Sequence, residues 1–330
     1  MNTAATSLTG STDGLGVTTS PSNLAQPPSR PGPPLYARLR EGFLSPECRV
    51  SLLGALAASA LLALIFWSNL SHFLLSWSTD ENYSHGFLVP FISLYFANLA
   101  AERGSVERRG GSGLGICLLT VALLLKLATV VIVVGTLGDL AFLIAIAGVT
   151  ALIGGVEVLK RYGFAIGFLV FMVPLPVSLY AMIASPLQLL VSKVASIFLN
   201  ATGVPVLTEG NMMTLPGGVQ MFVAEACSGM RQLTGFLALT AAVAYLAERP
   251  GWYRASVVIA AVPIAMTANM ARVTLTGYIM YYVNPAYASG TYHTVEGLLM
   301  LGFGLSLLRA FCWVLDQVIE LTKPVEAVAG

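Results

Sequence analysis

With 56% hydrophobic and only 10% charged side chains over 330 residues, and a mean hydropathy of +0.79, the chain falls outside the soluble globular class, where charged residues make up about 25%. A formal net charge of +1 leaves no basic footprint, so no nucleic-acid partner is expected. Membrane helices need about 20 mostly apolar residues, and several such runs follow one another, so the expected fold is an all-α polytopic membrane protein in contact with lipid.

Residues 1–35 are rich in Ser, Thr, Gly and Pro without an apolar centre, which reads as a disordered cytoplasmic tail and not as a signal peptide. Arg38, Arg40 and Arg49 precede the first apolar run, about residues 50–70, so the positive-inside rule places the N-terminal side in the cytoplasm. The connection over 71–85 has no Lys or Arg and carries Trp77, Asp80, Glu81 and Tyr83, as an outer loop should. A second span over about 86–101 returns to Arg103, Arg108 and Arg109 on the inside. Spans three (about 114–134) and four (about 137–155) form a hairpin that comes back to Lys160 and Arg161. Span five starts near Tyr162 and meets Pro174 and Pro176, which remove backbone donors and should kink or end it. Residues 185–201 read as an interfacial or re-entrant helix with Lys193 on its polar face.

Residues 204–225 differ from the rest, because Pro205, Gly210, Pro216, Gly217 and Gly218 punctuate short apolar runs, which predicts a small extracytoplasmic hairpin. It leads into span six, which ends near Ala247 before Arg249 and Arg254. Span seven (about 255–283) carries Asn269 and Arg272 and finishes in Tyr278, Tyr281 and Tyr282, an outer aromatic belt. Span eight (about 295–314) leaves Arg309 and Lys323 inside. The expectation is about eight transmembrane helices with both ends cytoplasmic. The predicted organisation is a tail over 1–35, a transmembrane domain over 36–320 and a short cytoplasmic tail over 321–330.

The chemistry-bearing residues concentrate at one end of this arrangement. On a regular helix Cys227 and Arg231 stand one turn apart, roughly 6 Å between Cβ atoms. A cation that close favours the thiolate, the form that attacks a carbonyl carbon. Taken alone, the stretch also reads as a small polar helix start with a snorkelling Arg. Cys48, Cys117 and Cys312 fall on the cytoplasmic flank or within apolar spans, so none is placed to pair with Cys227. Arg272 lies within a span, where a charge costs on the order of 2.5–3.5 kcal/mol, and so should face a polar cavity or pair with Asn269, Glu225 or Glu296. Counted back from Tyr282 at ~1.5 Å per residue, it sinks about 15 Å, deeper than Cys227. His293, at the outer start of span eight, has an unperturbed pKa near 6.5 suited to general acid and base work. His85, at the outer start of span two, competes for that role, whereas nothing in the sequence converges on His72. Neither metal-ligand spacing nor a phosphate-binding glycine loop occurs, so no metal or other cofactor is expected.

Three segments together resemble the exosortases, membrane cysteine transpeptidases of bacteria: Glu225-Ala226-Cys227-Ser228-Gly229-Met230-Arg231, Asn269-Met270-Ala271-Arg272-Val273 and His293-Thr294-Val295-Glu296-Gly297. The segments Asn82-Tyr83-Ser84-His85-Gly86-Phe87-Leu88-Val89-Pro90 and Met172-Val173-Pro174-Leu175-Pro176 are similar to the family's earlier signatures. The resemblance implies Cys227, Arg272 and His293 as the catalytic set, with Arg231, Asn269, His85 and Glu225 as secondary candidates. It also implies a multi-pass protein of the bacterial inner membrane whose site faces the periplasm. Its partners would be exported proteins with a PEP-CTERM tail (a Pro-Glu-Pro motif, an apolar helix and a basic cluster) and an acceptor that the sequence does not name. Two readings of other classes stand beside it. A transporter or channel component of an extracellular polysaccharide export system would use Arg272 and Glu225 as pathway charges and survive Cys227→Ser, and a structural scaffold would tolerate loss of all three residues.

Overall fold

A computed structural model describes residues 33–104, 106, 113–132, 135–223, 229–285 and 291–321. Both predicted tails therefore lie almost wholly outside the described residues. So do Glu225 and Cys227, while His293 is described in its backbone only.

The described chain is almost entirely helical, as its uninterrupted apolar runs require. A short α1 (Leu35–Leu44) is tied to the helix of residues 89–102 by the Leu35 N–H on Asn98 Oδ1 at 2.8 Å. The first apolar run is broken, with α2 (Pro46–Ile65) and α3 (Trp67–Thr79) meeting at 71° across Phe66. Phe66 is buried among Ala122, Ala141 and Ala145, so the break coincides with a ring drawn into the bundle. The expected outer loop over 71–85 is instead helical, formed by α3 and a 3-10 turn over Glu81–Phe87.

After α4 (Val89–Glu102), the hairpin of α5 (Gly113–Val131) and α6 (Gly135–Gly154) packs closely through small residues. A Cβ at Gly115 would stand 2.6 Å from the Leu152 backbone nitrogen, which fixes glycine there. The 13-residue α7 (Val156–Phe168) starts before Lys160 and stops short of Pro174, with a 3-10 turn over Leu169–Met172. Residues 185–201 are not a separate re-entrant piece but the second half of α8 (Val177–Ala201), a 25-residue helix that runs through Pro186. Where a hairpin was expected there are three antiparallel strands, β1 (Leu207–Glu209), β2 (Met212–Leu215) and β3 (Val219–Phe222), in the order β1-β2-β3. The bundle closes with α9 (Met230–Leu246), α10 (Gly251–Tyr282) and α11 (Thr291–Leu321).

Among the described residues six helices are long and apolar enough to cross a bilayer, or up to seven if α2 and α3 form one bent span. The protein is thus an all-α multi-pass membrane protein. α9, with 17 residues, matches the lower end of the usual span length of about 17–25. α10 is the hub: one stretch packs with α8 and the sheet (Val191, Leu199, Met213, Val273, Met280), another with α9 and α11 (Phe236, Val257, Ile264, Leu308).

His72 is not isolated. Its Nδ1 lies 3.4 Å from the buried carboxylate of Asp139, which accepts from Asn69 Nδ2 at 2.8 Å, and Lys126 Nζ donates to Asn69 Oδ1. This network joins α3 to the α5–α6 hairpin, and its sequence signal is a Lys and an Asp inside otherwise apolar runs.

Candidate active site

Arg272 and Asn269 project from α10 into the interior and are 6% and 0% exposed. Three residues apart, they share one helix face. At 32 residues α10 is about 48 Å long, well over the roughly 30 Å of bilayer hydrocarbon, so counting back from Tyr282 does not measure depth. Packing does: Gly229, the N-cap of α9, lies against Asn269, so the Arg272 turn is next to the start of α9 and not buried beneath it.

Gly229 is demanded twice. Its φ of +82° is left-handed, and a Cβ there would stand 3.0 Å from Asn269 Nδ2. Beside it Leu187, Val191, Leu233, Met266 and Asn269 close around a void of about 10 Å³, the size of a single water. Gly229→Ala is expected to cost about 1–2 kcal/mol for the left-handed backbone alone and to lower the melting temperature of the detergent-solubilised protein. Gly235→Ala in the interior of the same helix meets nothing within 4 Å, so it is expected to be unchanged or slightly stabilised and serves as the control. Equal melting temperatures for the two variants would contradict this packing.

The other side of Arg272 is made by α11. Glu296, 5% exposed, accepts a hydrogen bond from Thr276 Oγ1 at 2.5 Å, and Thr276 follows Arg272 by one turn. The Arg272 guanidinium acts electrostatically on the Glu296 carboxyl. Position 293 precedes 296 by three residues on α11, so the two share a face by register. Thr276 escaped the sequence reading, although its place four residues after a buried Arg was the available signal.

The secondary candidates part company here. Arg231 forms an ion pair with Glu81 of the 3-10 turn, a contact between a half-buried guanidinium and an exposed carboxylate. Neither residue type nor spacing pointed to Glu81. His85 sits in the same turn with Nε2 3.1 Å from the Phe171 carbonyl oxygen. Around it Trp77 Nε1 donates to Met172 O at 2.9 Å, and the Leu175 N–H donates to Tyr83 Oη at 3.1 Å. Residues 77–85 and 171–175 thus form one knot, which holds His85, while the α10–α11 contact beside Arg272 is the Thr276–Glu296 bond. Among the described residues no group of three or more His, Cys, Asp or Glu side chains could hold a metal ion.

In comparison with known proteins, a family model described as transmembrane exosortase matches residues 77–310. No curated protein and no solved structure matched the chain. The matched range takes in the knot of residues 77–85 and 171–175, the turn of α10 that carries Arg272 and the start of α11. With about seven-tenths of its length covered, the chain belongs to the transmembrane exosortases, a family of cysteine-type membrane transpeptidases that act in protein sorting.

Proposed function

We propose that the protein cleaves the C-terminal sorting tail of exported proteins through a thioester on Cys227 and transfers them to an acceptor. The observation that carries this reading is the meeting of three sequence-distant segments at one turn of α10. Gly229 packs on Asn269, one turn before Arg272, and Glu296, three residues beyond position 293, bonds Thr276, one turn after Arg272. Cys227 precedes Gly229 by two residues, so covalent geometry alone keeps their Cα atoms within about 7.6 Å.

In the proposed mechanism the Cys227 thiolate attacks the carbonyl carbon of the scissile peptide and the C–N bond breaks. The leaving amine takes its proton from the His293 imidazolium. The acceptor then gives its proton to neutral His293 as it attacks the thioester carbon, and the thiolate is released. Arg272, held away from water, stabilises the thiolate and the tetrahedral oxyanion, a role worth roughly 2.7–4 kcal/mol for one such donor in comparable sites. Arg231, though paired with Glu81, is a secondary candidate for the same electrostatic task, Asn269 lies one turn before Arg272, and Glu225 belongs to the same segment as Cys227. The distribution of Lys and Arg supports a site on the periplasmic side of a bacterial inner membrane, where a Pro-Glu-Pro-tailed protein would present its tail.

The test is mass spectrometry of such a substrate co-expressed with the enzyme. A new C-terminus and a hydroxylamine-sensitive adduct on the Cys227 peptide are expected, both lost in Cys227→Ala. Tail cleavage that persists in Cys227→Ala would remove the thioester from the mechanism, and a protein indifferent to Cys227→Ser would fit a transport role instead.

A further inference from the structure

Among the described residues, the two edges of the three-stranded sheet differ, one capped at Val206 and the other open. On the β1 side, the Val206 N–H donates to Asn200 Oδ1 and Asn200 Nδ2 donates to the Val206 carbonyl, so the end of α8 caps the backbone there. The β3 side differs. β2 and β3 pair as Met212↔Phe222, Met213↔Met221, Thr214↔Gln220 and Leu215↔Val219, and the Val223 N–H bonds Asn211 O at 2.9 Å. Antiparallel strands alternate hydrogen-bonded and non-hydrogen-bonded pairs. Since 211 and 223 are a bonded pair, so are 213 with 221 and 215 with 219. The backbone N–H and C=O groups of Gln220 and Phe222 therefore point away from β2. Their side chains are exposed, while Met221 between them is buried in the sheet's core.

Proteins commonly blunt an open edge with Lys, Pro or a covering segment, because its donors and acceptors are a template for another chain. β3 carries neither Lys nor Pro. From Phe222 the chain reaches Cys227 in five residues, at most about 18 Å fully extended.

We propose that the open edge of β3 receives the extended segment of the substrate's tail as an added strand, through the backbone groups of Gln220 and Phe222. The proposal rests on Cys227 as the nucleophile, since that is what places a reacting carbonyl near this edge. A cysteine transpeptidase needs its peptide extended, and strand addition supplies that conformation with little dependence on side chains. Two residues offer up to four backbone hydrogen bonds, enough to set register and direction, while the apolar helix of the tail holds the substrate in the bilayer. The half-exposed Phe222 ring gives the added strand an apolar neighbour on one face.

The experiment is disulfide mapping in membranes. Gln220→Cys is combined with Cys227→Ala, and single cysteines are walked along the tail of a co-expressed Pro-Glu-Pro-tailed protein. An added strand held in one register gives its strongest cross-link at one tail position, weaker ones two residues to either side and none at the positions between, identified by mass spectrometry as pairs with position 220. Cross-links with a period of three to four, an even smear, or none at all would overturn the proposal. In the otherwise native chain, Gln220→Pro removes an outward-facing donor, and it is expected to raise KM about tenfold with kcat unchanged. A Gln220→Pro enzyme with the KM of the unaltered chain would also count against the edge. The two hypotheses fail separately: an alternating cross-link pattern without any thioester would sink the chemistry assigned to Cys227 and leave the docking edge standing.

Discussion

Replacing Arg272 by Lys is expected to lower tail cleavage by about 10²–10³-fold, about the effect of losing one oxyanion donor, while the protein still inserts and accumulates. The position is 6% exposed and lies between the start of α9 and Glu296 of α11. A guanidinium keeps its charge in such a place and offers a planar fork of donors, so it can engage Glu296 with one edge and a developing oxyanion with another. An ammonium is a point charge on a flexible stem, and burial favours its neutral form. The time course of substrate processing in membranes, normalised to the amount of inserted enzyme, measures the effect. Near-normal cleavage by Arg272→Lys would mean that positive charge alone is sufficient and that the fork has no part.

His293→Ala is expected to block turnover by about 10²–10⁴, the usual contribution of a positioned general acid or base, and added substrate cannot restore that loss. His85→Ala is expected to behave differently, losing cleavage at low substrate and recovering when substrate is overexpressed. The reason is that His85 Nε2 is already engaged with the Phe171 carbonyl, inside the knot that Trp77 and Tyr83 make with residues 172–175. A ring held there braces a surface, whereas position 293 lies on α11 three residues before the carboxyl that reaches the Arg272 region. Cleavage is titrated against substrate level for each variant. Recovery by His293→Ala together with failure of His85→Ala to recover would reverse the assignments.

Hydropathy and charge order were enough to read this chain as a multi-pass helical membrane protein, because burial in lipid is decided residue by residue over each run of about 20. α5, α6, α10 and α11 were visible for that reason, and so was the order of the Cys227, Arg272 and His293 segments, which remains a reading of the sequence where Cys227 itself is concerned. Tertiary structure decided what depends on partners distant in the chain. Residues 71–85 looked like an outer loop because they lack Lys and Arg and carry Trp77, Asp80, Glu81 and Tyr83, yet the polar atoms of Trp77 and Tyr83 find Met172 O and the Leu175 N–H about 90 residues later, and the backbone winds into α3 and a 3-10 turn. Residues 185–201 looked like a separate interfacial or re-entrant helix, but they continue α8, which runs through Pro186. A third strand joined the expected pair, since strand number depends on which edges remain available and not on local propensity. Arg231, which local spacing offered to Cys227, pairs with Glu81, while Glu296 and Thr276 secure α11 beside Arg272. Helical spacing can place two groups on one face, but only the packed bundle determines which other helix that face meets.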